Sequence, residues 1–596
     1  MDHPLKSAIT PINFIQNPWT DELLLPPKPA DDFQWNTFAR PLPIEVFSII
    51  AANLSKAELA KCVRASKEWN ACFSPSLWET IHINAPQTYL QFVASAREGS
   101  LIRNGMFIKS ITTQYFSLVD LLGTYSDACP NLTDLEVHSE DSPPESTPLS
   151  QSGDSWEVIG QTTAMGGSQH MRFGSGYQSS SRPKTLDLTN LTHLVQRIPK
   201  LRKLGLHGRM FTNQKCSSIS RLFNVIPTTV EDLILANALP PFYVPPSATI
   251  EEDTEDSDSG EAAPLNITRI EFRICLLKDQ VLIPLLRRCS RLRTLVNSSQ
   301  IIAISQEVSS VLREHCNQLT ELRLETNSKA FTDKIISHLI DASVKGWKSI
   351  HLPFAVCFGP LSAEALLKHA PSIEILRAYG CPGLTSSVVQ KLLCTARNLK
   401  RLEVLDKRAF GRLATELDAQ DIIQSRWVCH DLEVLKIKIT GIPRPDLRVR
   451  TNSRPLSSPL HRGSMENSHS CQRMVYCQLG EMTRLKELVL GSEDRGRTGN
   501  HEEEQESEQE YFNPDRLQSW RQYECLSFTL ESGMDHLRYL KSLKRLHLQG
   551  MAVGFGNAAE QLWAKDNLPE LKYAYGDWNL EYRKVNGYGD DQYFKT

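Results

Sequence analysis

The chain has 596 residues, enough for several ordinary domains or one long repeat array. Hydrophobic residues make up 40% and charged residues 23%, the balance of a soluble protein with ample core material. A formal net charge of -3 argues against binding nucleic acid through bulk attraction to phosphates, and no window has the continuous apolar length that a bilayer span needs.

The opening MDHPLKSAITP lacks the charged-then-apolar order of a secretory signal. Residues 1–40, punctuated by six prolines from Pro4 to Pro29, read as a flexible lead-in. The stretch 42–83, LPIEVFSIIAANLSKAELAKCVRASKEWNACFSPSLWETIHI, then predicts three short helices. Pro43 suits a first turn, and Val46, Ile49 and Ile50 recur at helical spacing. Ser55 with Glu58 is a capping box that starts a second helix, with Leu59, Cys62 and Val63 on its buried side. Trp69, Phe73, Leu77 and Trp78 close the unit and lead into a strand-like Ile81-His82-Ile83.

Leu42-Pro43, Glu45, Leu54, Leu59, Ser66, Trp69 and Leu77-Trp78 stand at the marker positions of the F-box, which 41–83 therefore resembles. That resemblance implies docking onto a Skp-family adaptor and, through it, a cullin–RING ubiquitin ligase. Leu42, Pro43, Val46, Ile49, Leu54, Leu59, Val63, Leu77 and Trp78 would be divided between adaptor contact and internal core. Leu42, Pro43 and the second-helix side are the preferred contacts, and Trp69 and Ile50 the preferred internal residues.

Beyond this unit the hexad L-x-x-L-x-L recurs, from Leu132-Leu135-Val137 and Leu201-Leu204-Leu206 to Leu543-Leu546-Leu548 and a weaker Leu568-Leu571. Successive starts at 267, 292, 319, 347, 373 and 399 lie 25 to 28 residues apart, the period of a leucine-rich repeat. Amphipathic stretches such as VLREHCNQLTEL end just before each hexad. Segment 379–404 resembles the cysteine-containing repeat subtype. One strand and one helix cannot close a core, so the copies must stack. The expected fold is α/β: an N-terminal three-helix unit, then over 84–572 a curved solenoid with parallel strands inside and helices outside. The whole resembles the F-box/leucine-rich-repeat proteins.

Four segments break the period: 139–185, 245–264, 443–475 and 491–516, read as irregular insertions. The aromatic stretch 573–596, with Tyr575, Trp578 and Tyr582, reads as a cap on the last repeat or a tail. Of the fourteen cysteines, Cys129, Cys289, Cys316 and Cys394 sit among apolar residues of the repeat and act as small hydrophobes, so a reducing compartment, cytosol or nucleus, is expected.

Residues between the leucines of each hexad face the inner side, because strand side chains alternate. Arg323, Glu325, His351, Arg377, Tyr379 and Glu403 are the candidate target contacts, against the plainer reading of a solvated sheet face. No phosphate loop, nucleophile elbow or HExxH helix occurs, and His469-Ser470-Cys471 with Cys477, placed in an irregular loop, lacks paired zinc-ligand spacing. No catalytic residue, cofactor, metal, nucleic acid or membrane is expected. The expected role is a non-catalytic substrate receptor of a ubiquitin ligase; the alternative is a non-degradative repeat scaffold.

Overall fold

A computed structural model describes residues 43–139, 188–208, 211, 216–236, 263–273, 277–298, 305–324, 331–405, 415–442, 459–490, 526–548 and 558–575. The expected insertion 491–516, nearly all of 139–185 and of 245–264, and the lead-in 1–40 lie outside them. The chain divides into two compact units, Met1–Gly260 and Glu261–Thr596.

The first unit opens with three helices, α1 (Ile44–Ala52), α2 (Lys56–Ala65) and α3 (Lys67–Trp78). The capping box forms as its sequence dictates: Ser55 Oγ accepts from Glu58 N while Glu58 Oε2 accepts from Ser55 N at 2.8 Å. Ser66 caps α3 in the same way, accepting from Trp69 N. Ala51, Leu59 and Phe73 form the core between the helices, with Phe47, Leu54, Cys62, Val63, Cys72 and Leu77 packed round it.

Five parallel strands follow in sequence order: β1 (Thr80–Ile83), β2 (Ser110–Thr113), β3 (Asp134–Ser139), β4 (Lys203–Gly208) and β5 (Asp232–Ala236). Their register aligns Ile81, Ile111, Leu135, Leu204 and Leu233 in one buried column. The β2 copy escapes the leucine pattern because a threonine holds the third apolar place. Thr113 is fully buried there, and its hydroxyl accepts from Tyr115 N at 3.0 Å, which satisfies it without a leucine.

The second unit repeats the plan with β6 (Arg269–Arg273), β7 (Thr294–Asn297), β8 (Glu321–Leu324), β9 (Ser349–His351), β10 (Ile375–Arg377) and β11 (Arg401–Glu403). A short strand β12 (Glu416–Asp418) precedes β13 (Val434–Lys436) and pairs instead with β14 (Lys438–Thr440). β15 (Glu487–Val489), β16 (Arg545–His547) and β17 (Tyr573–Tyr575) complete the parallel ladder after β13. The column Leu295, Leu322, Ile350, Leu376, Leu402, Leu435, Leu488, Leu546 runs through this unit in register. Because side chains alternate along a strand, one register shared by all the strands keeps this column inside.

Successive helices pack against one another in the same order as the strands, for example Gln306–His315 against Asp333–Ile340 and the latter against Pro360–His369. This is the α/β arrangement expected: parallel strands on one side, helices on the other, stacked at the leucine-rich-repeat period. Cys289 and Cys316 are buried at helix ends, donating to the carbonyls of Leu285 and Leu286. Burial pushes the Cys316 thiol up to about 12 and the Cys289 thiol further still. Cys394, expected in the same role, is only half-buried.

Three expectations need correcting. Residues 459–480, placed largely in an irregular insertion, form a helix of 22 residues. Its Cys471, Val475, Tyr476 and Leu479 are buried at helical spacing, and Tyr476 Oη donates to Ser527 O at 2.7 Å. His469, Cys471 and Cys477 therefore lie on a helix and not in a loop. The weak last hexad is framed three residues later than expected, since Ala574, not Leu571, pairs with Leu546. Residues 573–575 are thus the strand of the last repeat and not the start of a tail; Trp578 and Tyr582 lie outside the described residues.

Candidate interaction surfaces

Two surfaces follow from the sequence reading, one in each unit. In the first, α1 carries only two polar residues, the exposed Glu45 and Ser48, so packing chooses its inward side among several apolar ones. Phe47 and Ala51 turn in, with Phe47 edge-on to Phe73 at 5.5 Å. Ile50, one residue before Ala51, is rotated about 100° away and is 37% exposed; Ile49 is 65% exposed. Pro43 is exposed and Val46 half-buried. Trp69 stacks edge-on against Phe73 at 5.6 Å and stays 45% exposed. Pro43, Ile49, Ile50 and Trp69 therefore leave apolar surface uncovered on a unit of only three helices.

The other named positions sort the opposite way. Leu59 is 3% exposed at the centre of the core, which corrects its candidacy as a contact; Leu54, Val63 and Leu77 are packed against that core. Trp69 and Ile50, expected inside, are outside, because Phe73 and Phe47 already fill the space between α1 and α3. Trp78 is half-buried, and Leu42 lies outside the described residues. Lys56 ties the start of α2 to the end of α3, donating to Ser76 O at 2.6 Å and Leu77 O at 2.9 Å. Burial lowers its pKa, with Glu79 opposing.

In the second unit, strand register places Arg323, His351, Arg377, Glu403 and Lys436 side by side in one row. Glu403 is already engaged: Arg377 Nε donates to its Oε1 at 3.2 Å, Arg401 at 3.1 Å, and Lys436 Nζ stands 4.0 Å from Oε2. Lys436 in turn reaches Glu487 at 2.9 Å. Burial, then the charges of Arg377, Arg323 and Arg401, push His351 down to about 4. Arg323 Nε is buried without a hydrogen-bond partner among the described residues. Tyr379 lies edge-on to Phe354 at 5.2 Å, and Phe354 itself has a positive φ of 55°. Glu325 lies outside the described residues.

No protein-family model and no curated protein matches the chain. Among solved structures it is similar to the Rad7 and Elc1 complex of yeast, at 13% identity and a TM-score of 0.36, covering 92% of this chain and 90% of that one. It is also similar to the leucine-rich repeat-containing protein LegL7 from Legionella pneumophila, at 9% identity and a TM-score of 0.28, covering 60% and 86%.

The row on the second unit thus divides. Glu403 acts chiefly as the counter-ion of its neighbours, whereas Arg323, His351 and Arg377 line up across β8 to β10, with Tyr379 two residues beyond the end of β10. Sequence reading missed one further group. Glu136, His138 and His207 converge in the first unit, brought together by pairing of strands 69 residues apart, which no local motif signals.

Proposed function

We propose that the chain is the substrate-recognition subunit of a Skp–cullin–F-box type ubiquitin ligase. The carrying observation is the apolar surface of Pro43, Ile49, Ile50 and Trp69, left uncovered on a unit with the F-box residue pattern. Apolar side chains left exposed on so small a unit suit covering by a partner, and a Skp-family adaptor is the occupant the F-box residue pattern implies. The stacked repeats supply a rigid parallel face for a target protein, with Arg323, His351, Arg377 and Tyr379 as its contacts. On this reading the chain makes and breaks no bonds. It raises the rate of ubiquitin transfer by holding a target lysine near the activated ubiquitin, turning a bimolecular encounter into an effectively intramolecular one. Free, buried cysteines such as Cys289 and Cys316 suit a reducing compartment, cytosol or nucleus.

Co-precipitation with the adaptor and cullin tests this. Ile49→Asp combined with Pro43→Ala should abolish recovery of both while thermal unfolding of the chain is unchanged. Adaptor recovery that survives the double substitution sinks the docking assignment. Adaptor recovered without cullin, from the unaltered chain, would favour the scaffold role.

A further inference from the structure

Alternation along β3 and β4 buries Leu135, Val137, Leu204 and Leu206 and turns Glu136 and His138 to the opposite face, two residues apart. Register then sets His138 directly beside His207, and Glu136 beside Gly205. The two imidazoles stack, centroids 4.0 Å apart and planes 8° from parallel. One ligand atom from each of Glu136, His138 and His207 lies within 4.8 Å of the other two.

Gly205 is the device that lets them meet. A Cβ at that position would stand 2.7 Å from Glu136 Cγ and 2.9 Å from His207 Nε2. Any other residue would occupy the space over which carboxylate and imidazole face each other.

We propose that Glu136, His138 and His207 form a binding site for a divalent transition-metal ion of the zinc class. Two imidazole nitrogens and one carboxylate oxygen are a donor set suited to borderline ions, with water completing the coordination. Bonds of about 2.0–2.1 Å to each ligand place ligand atoms roughly 3.3 Å apart in a tetrahedron. Nitrogen lone pairs lie in the ring planes, so an ion can bridge the two imidazoles only if the partly exposed His138 tilts out of the stack as Glu136 turns toward the buried His207. Lys203 Nζ, 2.6 Å from Glu136 Oε1, supplies in the metal-free chain the positive charge that the ion would replace. Nothing in this site depends on the receptor role proposed above.

The test is titration of the full chain with zinc against a chromophoric chelator, with cobalt as the spectroscopic probe. The wild-type chain should take up one equivalent that His138→Gln and His207→Gln each weaken at least tenfold. The cobalt bands lost with it should include no thiolate charge transfer, which separates this site from the cysteines. Lys203→Met should tighten binding by removing the competing ammonium. Unchanged stoichiometry and affinity in folded His138→Gln, or no zinc uptake by the wild-type chain, overturns the proposal. His138 is partly exposed, so its variant decides the matter even if His207→Gln fails to fold.

Discussion

Arg377 and Glu403 stand opposite each other across the ladder between β10 and β11, with Arg377 Nε donating to Glu403 Oε1 at 3.2 Å. Arg401 donates to the same oxygen, so one carboxylate offsets two guanidiniums on a parallel sheet where neighbouring strands lie about 4.8 Å apart. Removing it leaves like charges side by side. Glu403→Gln should therefore lower stability in urea by about 2 kcal/mol, the usual scale for stranding part-buried charge. The loss should shrink in high salt; a variant as stable as wild type at low salt would show that the cluster is merely solvated.

His351, between Arg323 and Arg377, has its pKa lowered from the ordinary 6.5 to about 4, chiefly by burial and then by those cations. In this window the unfolded chain binds a proton that the folded chain does not, so stability falls as pH drops from 6.5 toward 4 and levels off below it. His351→Gln should flatten that part of the curve. Melting temperatures of the two proteins measured across pH 4 to 7 are the check, and parallel curves would contradict the assignment.

Asp333 staples two repeats together. From the start of helix Asp333–Ile340 its carboxylate accepts from Gly359 N, Leu361 N and Ser362 N, each at 2.9 Å, at the head of helix Pro360–His369. Burial opposes its ionisation, but the bonds from Ser362, Leu361 and Gly359 prevail and hold the carboxyl below its usual range. Its contribution is thus present above the unfolded value of about 3.9 and lost as pH falls through the lower folded one. Asp333→Ala should cost about 1–2 kcal/mol, as for a lost helix cap. Amide exchange should speed up at Leu361 and Ser362 first.

Leu59 and Ile49 separate core from surface in the three-helix unit. Leu59→Ala opens the cluster around Ala51 and Phe73 and should cost about 2–4 kcal/mol. Ile49→Ala, on a side chain 65% exposed, should change stability by no more than about 0.5 kcal/mol. Denaturant titration of both variants measures the contrast; equal losses would mean that Ile49 is covered within the chain.

Much of the repeat was legible because burial of a strand face leaves a periodic apolar trace. Leu319, Leu322 and Leu324 announce β8 by spacing alone, and all three are buried. The trace fails where another residue meets the same physical need. Thr113 replaces the third apolar residue of β2 by satisfying its hydroxyl locally, and Ala574 takes a leucine's column at β17. The helix Pro459–Gly480 was hidden because its polar, Ser- and His-containing sequence has a buried side only once Ser527 and Phe528 are placed against Tyr476.

The order of side chains along the chain was enough to determine the repeat period, the capped start of α2 and the α/β class, since each depends on contacts between near neighbours. Which side of α1 faces inward, which charges are matched and which histidines meet were decided only by the folded chain. In α1, Val46, Phe47, Ile49, Ile50 and Ala51 could each face inward, and contact with Phe73 selects Phe47. Likewise, His138 and His207 are 69 residues apart in sequence and 4.0 Å apart across a ladder whose register only the stacked core can set.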